Sequence, residues 1–151
     1  MVKVLFICHG NICRSPMGAY IMRELVRRRG LASQFQINSA ATSREELGNG
    51  VYPPARRKLE QEGIPCGNHH AVQVTRQDYD DYDYLIVMDR NNYRNLMRIL
   101  REDPEEKVHP LLSYAGIDRD VADPWYTDDF DAAFADIYTG CTALLQELLG
   151  K

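Results

Sequence analysis

The chain has 151 residues, enough to bury a core without metal or disulfide support, and its 44% hydrophobic and 26% charged residues exclude a disordered chain. A formal net charge of −4 offers no cationic face to nucleic acid, and no apolar run reaches membrane-spanning length. Cysteines stand at positions 8, 13, 66 and 141; the apolar start ending at Ile7 is too short for a secretion signal, so free thiols and a cytoplasmic location are expected.

Val2 to Ile7 reads as a buried strand that runs into the turn-forming His9-Gly10-Asn11. Ser15-Pro16 then reads as a helix N-cap followed by proline at the first helical position, with Met17, Tyr20, Ile21 and Leu25 on one face and Gly30 as the stop. The Arg27-Arg28-Arg29 run before that glycine suits a solvated helix end, where cations complement the dipole. Phe35 to Ser39 resembles a short strand, and Pro53 to Glu62 a helix closed by Gly63. Tyr84 to Met88 is a third strand, Asp89 caps a helix carrying Tyr93, Leu96, Met97 and Leu100, and a fourth short strand fits Lys107 to His109. From Phe130 onward, apolar residues keep helical spacing through Cys141 to Leu148.

Strands alternating with helices imply one α/β domain over residues 1–151: a three-layer sandwich with a central four-stranded parallel sheet, doubly wound. In such sheets ligands bind beyond the carboxyl ends of the strands, which is where the Cys8 loop lies. The polar segments 42–50 and 110–127 are the long loops and the expected walls of a site.

The segment Cys8-His9-Gly10-Asn11-Ile12-Cys13-Arg14-Ser15 sets a thiol and a guanidinium at the two ends of a tight loop ahead of a helix N-terminus. Backbone N–H groups in such a loop converge on an anion, Gly10 and Asn11 tolerate left-handed backbone, and the dipole adds positive potential that favours a thiolate at Cys8. A thiolate beneath a bound phosphate attacks phosphorus in line while Arg14 holds the equatorial oxygens through two parallel hydrogen bonds, which lysine does less well. Releasing the oxygen of a phosphate ester also needs a proton donor. Asp118, Asp120, Asp123, Asp128 and Asp129 all lie in one stretch, and residue type alone does not separate them. Trp125 and Tyr126, with Ile12, would give aromatic and apolar walls to a site there.

Cys8 through Pro16, with Asp123-Pro124-Trp125-Tyr126 far downstream, resembles the low-molecular-weight protein tyrosine phosphatases over essentially the whole chain. The resemblance implies a phosphocysteine mechanism on Cys8, phosphate binding by Arg14, and Asp123 as the acid and then the base. It also implies that Asn11 shapes the loop through Ser39 and His69, and that the Ser15 hydroxyl steadies the departing thiolate. Related protein-arginine phosphatases carry threonine where this chain has Ile12, which favours phosphotyrosine. Many family members have an aromatic in the loop after the second strand, where this chain has Arg44-Glu45-Glu46, so the Glu45 rim is expected to be charged. Phosphotyrosine proteins or peptides are the implied partners of a monomer, with no cofactor, metal, nucleic acid or membrane. Cys13 near Cys8 suggests a protective disulfide. Rival readings are an arsenate reductase, whose downstream cysteine pair is missing here, a zinc module on Cys8, Cys13, Cys66 and His69, and a non-catalytic phosphate-binding module.

Overall fold

A computed structural model describes all residues, 1–151. Strand β1 (Val2–Cys8) lies between β2 (Phe35–Ala41) and β3 (Tyr84–Val87), and β4 (Val108–Pro110) follows, giving the order β2-β1-β3-β4 with every pairing parallel. The helices are α1 (Arg14–Arg28), α2 (Pro53–Gln61), α3 (Arg76–Asp81), α4 (Arg90–Leu100), α5 (Pro124–Thr127) and α6 (Phe130–Leu149). This is the expected doubly wound α/β sandwich.

The alternation of β1 side chains divides the core in two, because successive residues of a strand face opposite sides of the sheet. Val4, Phe6 and Cys8 join α1, α2 and α6 in one cluster, whereas Leu5 and Ile7 join Tyr79, Tyr82, Leu96 and Leu100 in the other. Both faces of β1 are thus covered, which explains its unbroken apolar sequence. From β1 the chain goes to β2 on one side and later to β3 on the other, so the carboxyl end of β1 is a switch point where a ligand can enter.

Three local expectations change. Helix α1 begins at Arg14 with Cys13 at the cap position and no side-chain cap, so Ser15 is inside the helix rather than capping it. The long segment 110–127 contains the turn Leu111–Ala115 and the short helix α5, and α3, with a Thr75–Asp78 capping box, was not anticipated. Its short Arg-Gln-Asp-Tyr-Asp-Asp sequence buries only Tyr79, too little periodicity to betray a helix. The arginine run is also more than a solvated end. Arg27 and Arg28 both bond the buried Glu24, and the hydrogen bond from Arg27 pulls the carboxyl pKa down to about 2.

Helix α6 approaches the Leu111–Ala115 turn so closely that a β-carbon at Gly140 would collide with the Leu111 side chain. Gly140→Ala is therefore expected to lower stability by about 1–2 kcal/mol in denaturant unfolding, overpacking outweighing alanine's better helix propensity.

Candidate active site

Cys8 ends β1, is 3% exposed, and pairs with Ala41 across the sheet. The loop that follows is held by its carbonyls. Thr42 N–H donates to Cys8 O, Ser43 N–H and Oγ to His9 O, Tyr52 N–H to Ile12 O and Met17 N–H to Cys13 O, all within 2.7–3.1 Å. His69 Nε2 lies 2.6 Å from Asn11 O. With the carbonyls bound from outside, none of the backbone N–H groups from His9 to Arg14 has an intramolecular partner. An anion is the natural acceptor for such a set of free donors next to a helix N-terminus.

Asn11 is the left-handed residue of the loop, with φ 59°, and is fully buried. Its Nδ2 donates to Ser15 Oγ and to Ser39 Oγ at 2.8 Å, and its Oδ1 accepts from Val72 N–H at 3.1 Å. Every polar atom of this side chain is thus engaged, which offsets the strain of the backbone. The Ser39 and His69 contacts expected from family resemblance are present; Val72 is an addition, invisible in sequence because a backbone group makes the bond. Burial lowers the His69 pKa and favours the neutral ring, despite its bond to Asn11. Gly10 does not adopt a left-handed backbone. It makes room instead, since a β-carbon there would lie 3.3 Å from Glu46 Cγ.

Ser15 Oγ sits 3.0 Å from Cys8 Sγ, and Ser15 N–H points to the same sulfur at 3.4 Å. Arg14 is 2% exposed. Its Nη1 donates to Asp89 Oδ2 and to Val121 O, each at 2.8 Å, and its Nη2 lies 3.4 Å from Asp123 Oδ2. Burial works against its charge, but Cys8, Asp123 and Asp89 outweigh burial and raise its pKa above the ordinary arginine value. Asp89 therefore has two tasks, because its Oδ1 also caps α4 by accepting Asn92 N–H at 2.7 Å. A cap at a strand end is easy to read from sequence; the contact with Arg14 joins residues 75 positions apart.

Asp123 caps α5, its Oδ1 accepting Trp125 N–H at 3.0 Å, and among the neighbouring acids it is the one facing Arg14 and the sulfur's pocket. That pocket, about 370 Å³, is lined by Cys8, Cys13 and Arg14, by Ile12 and the exposed Trp125 and Tyr126, and by Glu45 and Glu46. Trp125 leans on Tyr52, ring centroids 5.0 Å apart. Glu45 pairs with His9, Oε2 to Nε2 at 3.0 Å, and Asn49 holds Glu46. All the residues expected at the site are brought together; Tyr52, Val72 and Val121 complete it and carried no local sequence signal.

Cys13 is buried, and burial, followed by the nearness of Cys8 and Asp123, drives its thiol pKa far up. Cys141 is fully buried in the core, and all four cysteines are unpaired. Cys66 and His69 stand apart from the Cys8 pocket, and no cluster of three or more metal-ligating side chains forms. A larger cavity of about 640 Å³ lies between α4 and residues 110–120, without a cysteine or histidine in its wall.

A family model described as low molecular weight phosphotyrosine protein phosphatase matches residues 3–151. The chain is 37% identical over 150 residues to the low molecular weight protein-tyrosine-phosphatase YfkJ of Bacillus subtilis, covering 98% of this chain and 96% of that one. The crystal structure of YfkJ superposes with a TM-score of 0.96 at 38% identity, over 99% of this chain and 96% of the other. A Drosophila arginine phosphatase structure is also similar, with a TM-score of 0.88 at 31% identity, covering 97% and 98% of the two chains.

Proposed function

Since the chain belongs to the low molecular weight phosphotyrosine protein phosphatase family, we propose that it hydrolyses phosphotyrosine and small aryl phosphates through a phosphocysteine on Cys8. The observation that carries this reading is the set of free loop N–H groups gathered around a buried sulfur and a buried guanidinium. The substrate phosphate accepts hydrogen bonds from the His9–Arg14 N–H groups and from Arg14, and Cys8 Sγ attacks phosphorus as the P–O bond to the tyrosine breaks. Asp123 gives its proton to the departing phenolic oxygen and afterwards takes one from the water that attacks the phosphocysteine, releasing inorganic phosphate and the thiolate. Asn11 donates to Ser15 Oγ, which leaves the Ser15 hydroxyl proton for the sulfur; together with Ser15 N–H it stabilises that thiolate. Ile12 in the pocket wall, with Trp125 and Tyr126, supports an aromatic phosphoester over phosphoarginine. Residues 1–151 act as one domain and a monomer; no helix is long and apolar enough to cross a membrane, and the unpaired cysteines support a cytoplasmic location.

Turnover of p-nitrophenyl phosphate and a phosphotyrosine peptide in the presence of a metal chelator tests the reading; inactivity on both substrates would overturn it. Asp123→Ala is expected to lower phosphotyrosine kcat about 10²-fold, the scale of general acid–base catalysis. With p-nitrophenyl phosphate, whose leaving group needs no proton, the variant should instead show a rapid-mixing burst of nitrophenol and a slow second phase.

Glu45 and Glu46 bring two carboxylates to the pocket lining, and Glu45 pairs with the half-exposed His9. Peptides with lysine or arginine next to the phosphotyrosine should exceed those with glutamate by about tenfold in kcat/KM at low salt, and about 0.5 M salt should close the gap. Equal values at low salt would remove this role for the rim.

A further inference from the structure

Ser39 and His69, which hold Asn11, also face a second polar cavity of about 320 Å³, which shares no lining residue with the Cys8 pocket. Its side chains are mostly donors. Arg23 uses Nε and Nη2 on Ile37 O and Asn38 Oδ1, and its guanidinium lies 5.2 Å from the Tyr20 ring centroid. Tyr82, 9% exposed, accepts from Asn38 Nδ2 at 2.8 Å, and its own hydroxyl proton has no acceptor. His69 and His70 each use a single ring nitrogen, on Asn11 O and Gly48 O. The cavity's one carboxylate, Asp78, already accepts the Thr75 N–H at 2.8 Å. Burial lowers the pKa of the half-buried His69, a circumstance in which a bound anion favours the charged ring.

We propose that this cavity binds the phosphate group of a small phosphorylated metabolite, or free phosphate, between Arg23, Tyr82 and the two histidines. The volume exceeds what a phosphate alone fills, and it leaves room for a few attached carbon and hydroxyl groups, for which Asn68 and Tyr20 offer polar contacts. A ligand there rests on the two side chains that fix Asn11, so it adjoins the phosphate loop without entering it.

The test is an amide NMR titration of the Cys8→Ser enzyme, which cannot turn the ligand over, with inorganic phosphate and separately with ribose 5-phosphate. Two sets of shifts are expected: Gly10 and Ile12 for the first pocket, and Asn68, His70 and Tyr82 for the second. Tyr82→Phe and Arg23→Gln should each weaken the second set about tenfold, the worth of one charge-assisted hydrogen bond, and leave the first in place. Tighter binding of ribose 5-phosphate at the second set identifies a phosphorylated metabolite as the ligand class; equal binding identifies free phosphate. The proposal is overturned if no second set appears by about 20 mM ligand, or if that set is unchanged in both variants. Missing shifts at Gly10 and Ile12 would count against the proposed function alone, since the second cavity does not depend on it.

Discussion

Cys8→Ser should reduce turnover of p-nitrophenyl phosphate by about 10⁴-fold or more while leaving phosphate binding measurable, because losing a covalent nucleophile removes the reaction path rather than the site. Serine fits the 3.0 Å contact with Ser15 and the free N–H groups of the loop are untouched, so the fold should persist. A hydroxyl is a weaker nucleophile than a thiol, and the hydrogen-bond partner at this position is a serine rather than a base that could activate it. Steady-state kinetics together with trapping of a phosphocysteine in the wild type check the expectation. Near-normal activity in the serine variant would sink the covalent mechanism.

Arg14→Lys should lower kcat about 10²–10³-fold, the cost of removing preorganised donors from developing charge. The charge is kept, so any loss reports geometry. Arg14 is held from behind by Asp89 and Val121 O, each 2.8 Å from Nη1, which fixes the plane of the guanidinium. A lysine ammonium is a single point with no plane to fix, and it would settle between the carboxylates of Asp89 and Asp123 instead of forking onto phosphate. Because breaking a buried pair is costly, thermal denaturation should accompany the kinetics. A variant that remains folded with kcat within about threefold of wild type would deny Arg14 its role in the transition state.

Much of this site could be read in the sequence because its chemistry is local. Cys8 and Arg14 flank one loop at a strand end, and phosphate chemistry alone selects that arrangement. The sheet was legible for a similar reason: β1 and β3 are short, almost wholly apolar runs, as strands covered on both faces must be. What could not be read is made by backbone atoms or by distant segments. Val72 N–H and Val121 O serve Asn11 and Arg14 whatever side chain stands at those positions. Asp123 was distinguished from neighbouring acids only by family resemblance, since its relation to Arg14 spans 109 positions of chain. The misplaced cap at Ser15 had a physical cause as well. Serine before proline ordinarily starts a helix, but here the hydroxyl is drawn inward by Asn11 and the sulfur, and the helix begins at Arg14, ahead of both residues.

The carbonyls that the loop hands to Thr42, Ser43, Tyr52 and His69 come with a kinetic corollary. Eight consecutive residues, from Cys8 to Ser15, hold the nucleophile and the guanidinium, yet their shape is dictated by partners 30 to 60 positions away. Contacts across such separations form only after the intervening chain has closed, so α1 can wind early while the loop at its head is still shapeless. During refolding, the capacity to turn over substrate arrives with the final closure of the 42–72 segment, well behind the helical signal. A partly folded chain of this design carries an inert cysteine, and its reactivity is acquired together with the finished fold.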